Sequence, residues 1–220
     1  MKKMIYLLVF VLMFTSNLFA GASASEELLS SANSLKDILR VSQIPANVLL
    51  KARAIVVVPS ATKVGFFVGG EFGEGVASIR KGDGSWSNPF FIKLQSGSLG
   101  WQFGYENNSI LLVFNSQKIV NSLLNRSITM GVDASISAGP LGKTFEKNSK
   151  IDLSAEIFAY RKSEGLFLGV SLKGAVINQD RDKNVEYYGN GIRAIDIVSM
   201  PIKQDSYAMK QFFDAIDMIR

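Results

Sequence analysis

The chain has 220 residues, 47% apolar and 20% charged, with 24 basic and 19 acidic residues and neither histidine nor cysteine. That balance is one of a folded domain with a real core, neither disordered nor apolar throughout. Without histidine or cysteine, disulfides, thiol nucleophiles, serine–histidine–aspartate triads and cysteine or histidine zinc sites are all excluded.

Lys2 and Lys3 precede an apolar run from Met4 to Phe14, followed by Thr15, Ser16 and Asn17 and then small residues, which is the order of a secretory signal. The run is too short to span a bilayer. Small-x-small sites at Ala20-Gly21-Ala22 and Ala22-Ser23-Ala24, with Leu18-Phe19-Ala20 as a third choice, put cleavage near Ala20 to Ala24. Residues 1–24 are therefore expected to be a signal peptide and residues 25–220 a single exported domain, with a retained membrane anchor as the other reading of Met4 to Ala22. The leader holds two lysines and no acid, so the rest keeps 22 basic residues against 19 acidic ones, a net charge of +3. A mildly basic exported chain is not a nucleic-acid binder, and anionic envelope lipid is its more natural counter-surface.

From Ser25 to Arg40, Leu28, Ala32, Leu35 and Leu39, flanked by Leu29 and Ile38, fall at helical spacing. Pro45 opens a second helical segment through Arg53, which runs into the β-branched stretch Ile55 to Val58. Beyond Pro59 come short strands rich in glycine and phenylalanine: Val64–Gly69, Gly73–Arg80, Ser85–Leu94, Ser98–Tyr105 and Ile110–Phe114, with Asp83-Gly84 as a hairpin turn. A helix capped at Asn115 or Ser116 buries Ile119, Val120, Leu123 and Leu124. Strands resume at Ile128–Ser137, Ile151–Tyr160 and Gly165–Ile177, and a closing helix over about Asp205–Arg220 buries Met209, Phe212, Phe213 and Ile216. Glycines at this density inside strands predict an α+β fold with a strongly curved, barrel-like antiparallel sheet and N-terminal and C-terminal helices packed on it.

Few motifs carry chemistry. Ser137-Ala138-Gly139-Pro140-Leu141-Gly142-Lys143-Thr144 ends like a phosphate-binding loop, but Ser137 stands at the first glycine position and no apolar helix pattern follows, so it reads as a Gly-Pro turn. Gly69 to Gly75 lacks dinucleotide-loop spacing. Glu71 and Glu74, with Asp133 and Glu156, are the sole basis for a carboxylate hydrolase. No metal loop is recognisable, and no cofactor is expected. Trp86 and Trp101 suit either the core or a lipid-facing edge.

Taken in order, Ile44-Pro45 to Lys51-Ala52-Arg53, Ile55-Val56-Val57-Val58-Pro59, Val68 to Val76, Trp86 to Ile92, Gly97 to Gly104, Gly131 to Ala134, Ala138 to Lys143, Gly165 to Gly174 and Tyr187-Tyr188-Gly189 resemble the SYLF lipid-binding domain, over about Leu28 to the end of the chain. The resemblance implies a non-catalytic module that binds acidic phospholipids, phosphoinositides in eukaryotic members, through an amphipathic N-terminal helix and basic surface residues. Lys143 stands where the family pattern has Arg, and Lys173 where Glu is usual; the first loses a bidentate fork and the second adds a positive contact.

The expected headgroup-binding residues are Lys51, Arg53, Lys63, Arg80, Lys143 and Lys173. The expected membrane-contact helix carries Leu28, Leu29, Leu35, Lys36, Ile38, Leu39 and Arg40, whose apolar stripe suits either the sheet or the headgroup region. The expected function is periplasmic recognition of an anionic phospholipid (phosphoinositide-type) membrane surface, with an envelope protein-interaction module as the alternative and a carboxylate hydrolase third.

Overall fold

The computed structural model describes residues 22–65, 68–99, 106–142, 154–163 and 166–219. The expected signal segment through Gly21, Trp101 and Lys143 lie outside the described residues.

Ser23 caps α1 (Ala24–Val41) through a capping box with Glu26, two residues before the start expected from the sequence. Helix α2 (Ala46–Lys51) follows Pro45, and the chain enters β1 (Ala54–Gly65). Then come β2 (Val68–Ile79), β3 (Phe90–Leu99), β4 (Glu106–Phe114), α3 (Gln117–Leu123), β5 (Ile128–Thr129), β6 (Ile136–Ala138), β7 (Ile157–Ser163), β8 (Leu166–Gly169) and β9 (Val176–Gln179). Three helices close the chain: α4 (Arg181–Tyr188), α5 (Ala194–Ser199) and α6 (Tyr207–Ile216).

These strands form one curled sheet in the order β5-β9-β3-β2-β1-β4-β7-β6, with β8 also on β7. The α+β class and the barrel-like curvature match the sequence reading. The sheet is mixed rather than wholly antiparallel, because β6 lies parallel to β7. A parallel neighbour needs a crossover of a dozen residues or more, and residues 139–156 supply the length.

Pro59 does not end β1. The strand runs through it with register shifts against both β2 and β4, so the missing N–H falls at a bulge, while the Ser109 hydroxyl donates to the Pro59 carbonyl at 2.9 Å. At Gly75 the backbones nearly touch: a Cβ there would stand 2.0 Å from the Val57 carbonyl oxygen. This close approach lets the sheet curl.

Both faces of the sheet are covered, which explains the unbroken apolar runs in β1 and β4. Val56, Val58, Ile110 and Leu112 pack on the concave side with α3 and α5. Ile55, Val57, Leu111 and Val113 pack on the other side, beneath α1 and α6. The C-terminal stripe Met209, Phe212, Phe213 and Ile216 is buried as expected.

The stripe of α1 belongs to this second core. Leu28, Leu35 and Ile38 have no exposed surface, and Leu29 and Leu39 pack against the same cluster half-buried. The reading of α1 as a membrane-contact helix is corrected here: its apolar residues are interior, the Lys36 amine donates to Gln211 at 2.7 Å, and Arg40 alone of that set is fully outward. No helix among the described residues is long and apolar enough to cross a membrane.

Candidate anionic-headgroup site

One end of the sheet gathers three of the six expected cations. Arg53 and Arg80 face each other across β1 and β2, where the Arg80 amide donates to the Arg53 carbonyl at 2.8 Å. Lys51 ends α2 two residues earlier, so the short helix and the first register position of the sheet bring all three together.

Arg80 is the fixed member. Its guanidinium donates to the carbonyls of Leu50 (2.9 Å), Leu49 (3.4 Å) and Ile219 (3.2 Å) and lies 4.6 Å above the centre of the Trp86 ring. It therefore neutralises the negative end of α2 and ties the tail of α6 to it. Burial, and then the Arg53 charge, lower its pKa, while Trp86 beneath it is core. Lys51 and Arg53 are exposed.

These residues, with Asn47, Asn115 and Phe158, line a pocket of about 430 Å³. No carboxylate lines it among the described residues, and the buried side-chain oxygen of Asn115 has no hydrogen-bond partner. Leu50, which also lines it, is 54% exposed, and Met218, next to Ile219 in the chain, is 45% exposed. The Leu50 carbonyl and the Ile219 carbonyl meet on one guanidinium, so Leu50 and the chain segment that carries Met218 lie at the same end of the molecule as the cations. The arrangement combines charge-assisted donors with apolar groups free to leave water.

The other expected cations are not brought here. Lys173 is exposed in the turn before β9, three strands away from β1, with its stem lying over Gly131. Lys63 sits at the far end of β1, paired through its backbone with Glu71 and Glu106; its side chain and all of Lys143 lie outside the described residues. Sequence reasoning missed Leu50 and Met218, since a lone exposed apolar residue carries no pattern. The carboxylate pair of the hydrolase reading is split by the strand: Glu71 and Glu74 face opposite sides of β2, paired with Arg161 and Lys183 respectively.

A model of the Ysc84 family, described as "Las17-binding protein actin regulator", matches residues 95–219. The chain belongs to the Ysc84 family, the SYLF domain family of the sequence resemblance. It is 34% identical over 166 residues to "SH3 domain-containing YSC84-like protein 1" of Rattus norvegicus, covering 75% of this chain and 48% of that protein. It is 35% identical over 156 residues to the protein of the same name in Homo sapiens, covering 70% of this chain and 45% of the relative. Against "LAS seventeen-binding protein 3" of Saccharomyces cerevisiae (strain ATCC 204508 / S288c) it is 36% identical over 163 residues, covering 73% and 35% respectively. The chain thus spans about half or less of the length of these relatives. They are named for binding and regulation, not for catalysis.

Proposed function

We propose that this SYLF-domain chain is an exported, periplasmic, non-catalytic module that docks reversibly on anionic phospholipid surfaces through the end formed by α2, Arg80 and the tail of α6. The observation that carries the reading is the coincidence of Lys51, Arg53, Arg80 and exposed Leu50 around a pocket that has no acidic lining residue among the described residues, with exposed Met218 next to the Ile219 that Arg80 holds. Lys51 and Arg53 pair lipid phosphates, Arg80 holds the platform, and the two apolar side chains enter the headgroup layer. A pocket of this size accepts one phosphorylated headgroup, including an inositol phosphate.

Co-sedimentation of the purified protein with neutral phosphatidylcholine vesicles, vesicles containing phosphatidylglycerol, and vesicles containing a phosphoinositide tests this at low and high salt. Binding to the anionic vesicles, weakened by salt, is expected. Equal binding to neutral vesicles, or none to any, rejects a headgroup site. Retention by inositol-phosphate vesicles alone narrows the ligand to phosphoinositides.

A protein partner is the second reading. The edge strand β8 exposes Leu166 (65%) and Leu168 (53%), and the yeast relative is named as a protein binder. Salt-insensitive capture by an envelope protein, abolished by Leu166→Lys with Leu168→Lys, would favour it.

A further inference from the structure

Away from the cationic end, a groove of about 740 Å³ runs between α1 and the middle of the sheet. Its wall is the polar side of α1, with Ser30, Asn33 and Ser34; its floor is made by Thr62 of β1 and Ser109 of β4. Thr62 lies eight residues along β1 from Ala54, about 26 Å at strand rise, so groove and headgroup pocket are separate sites.

Three features give the groove a chemistry. Phe72, on the rim, is 54% exposed and lies over Gly70, a position at which a Cβ would stand 2.7 Å from the ring. An aromatic ring resting on a glycine and half in water at the edge of a polar groove offers a stacking surface. The hydroxyl of Ser34 and Oε1 of Glu27, a residue only 7% exposed that lines the groove, are buried without hydrogen-bond partners. Such orphaned groups call for a polar partner, which an ordered water or a hydroxyl of a bound ligand supplies.

The third feature is charge. The groove's carboxylates already face cations: Glu27 and Glu74 share the Lys183 amine at 3.6 and 2.6 Å, and Asp37 lies 3.5 Å from Lys162. What remains is hydroxyl, amide and carboxylate hydrogen-bonding capacity with little net charge, beside one aromatic face. Among the described residues no cation lines the groove to pair an anionic headgroup, and a polycation finds the carboxylates already paired.

We infer that this groove binds a neutral polyhydroxylated ligand, a glycan segment, with one sugar ring stacked on Phe72 and its hydroxyls hydrogen-bonded to Ser34, Asn33 and Glu27. Stacking uses the apolar face of the pyranose, and each hydroxyl can donate and accept at once, which suits a lining of mixed serine, asparagine and carboxylate groups.

Titration of the protein with chitotetraose, maltotetraose and, separately, spermidine, followed by backbone amide chemical shifts, tests the site. At least one of the sugars is expected to shift amides of Ser30–Asp37 and Phe72–Glu74. Phe72→Ala should weaken binding about tenfold, and Phe72→Tyr should keep it. Phe72 is exposed, so its replacement leaves the core intact, and retained far-UV circular dichroism checks this. No shift with either sugar at about 10 mM overturns the inference, since even a weak site of about 1 mM would then be nearly filled. Shifts from spermidine alone overturn it in favour of a cation groove, and sugar shifts that survive Phe72→Ala place the ligand elsewhere. Vesicle binding is expected to be unchanged in Phe72→Ala, so this site and the headgroup site stand or fall separately.

Discussion

Glu71 and Arg161 join across the inside of the curled sheet by two contacts, 2.7 Å between Oε1 and Nη1 and 2.8 Å between Oε2 and Nη2, with both side chains nearly buried. Strands β2 and β7 are separated in the sheet by β1 and β4, so the pair spans the concavity. Replacing Glu71 with Ala leaves a buried guanidinium without its counter-charge and should destabilise the fold by about 3–5 kcal/mol in urea unfolding. A loss below about 1 kcal/mol would show that the pair is solvated and does not brace the barrel.

The tight approach at Gly75 gives a second expectation. A methyl group there overlaps the Val57 carbonyl and neighbouring backbone atoms, which cannot swing away as a flexible side chain could. Gly75→Ala should cost about 3 kcal/mol or more and flatten the sheet locally, read as a lower unfolding midpoint and loss of amide protection in β1 and β2. Unchanged stability would remove Gly75 as the source of the curvature.

Arg80 is expected to be a positioning residue first and a charge second. Arg80→Lys keeps the charge but loses the planar fork that reaches the Leu50 and Ile219 carbonyls, so it should lose about 1–3 kcal/mol of stability. Full stability in the lysine variant would mean the charge alone suffices.

Glu27 sets a pH dependence. Burial raises its pKa above the ordinary 4.5, only partly opposed by Lys183. A carboxyl held this way binds its proton more firmly folded than unfolded, so its contribution to stability is complete below pH 4.5 and declines as pH rises through the elevated value. Glu27→Gln removes that decline. The variant should match or exceed the parent in thermal stability at pH 7, with the advantage shrinking towards pH 4. A variant less stable at pH 7 would show that the Lys183 pairing outweighs the burial penalty.

Much of this architecture was legible in the sequence because it rests on apolar periodicity. The stripes of α1, α3 and α6 and the runs in β1 and β4 are visible one residue at a time, and the in-strand glycines announced the curvature. Helix α4 was not legible for a physical reason: it is held by polar groups. Asp180 caps it, and Asn184, fully buried, accepts from the Phe91 amide and donates to the Phe91 carbonyl, so no apolar stripe marks the helix. Pro59 misled in the other direction, since a bulge absorbs it. At the site, the motif around Lys51 and Arg53 was readable, but its union with Arg80 depends on strand register. The sequence left the role of α1 open between lipid and core because an amphipathic stripe looks the same whether it meets lipid or a sheet, and burial against β1 and α6 is what the fold shows.

The most direct measurement is co-sedimentation of the double variant Lys51→Glu with Arg53→Glu against phosphatidylglycerol vesicles, beside the parent protein and Lys173→Glu. Both substituted residues in the double variant are exposed, so the fold should survive. Loss of at least tenfold in vesicle affinity for the double variant, with Lys173→Glu close to the parent, is the expected result. Undiminished binding by the double variant, or an equal loss in Lys173→Glu, would contradict a headgroup site at the α2 and Arg80 end.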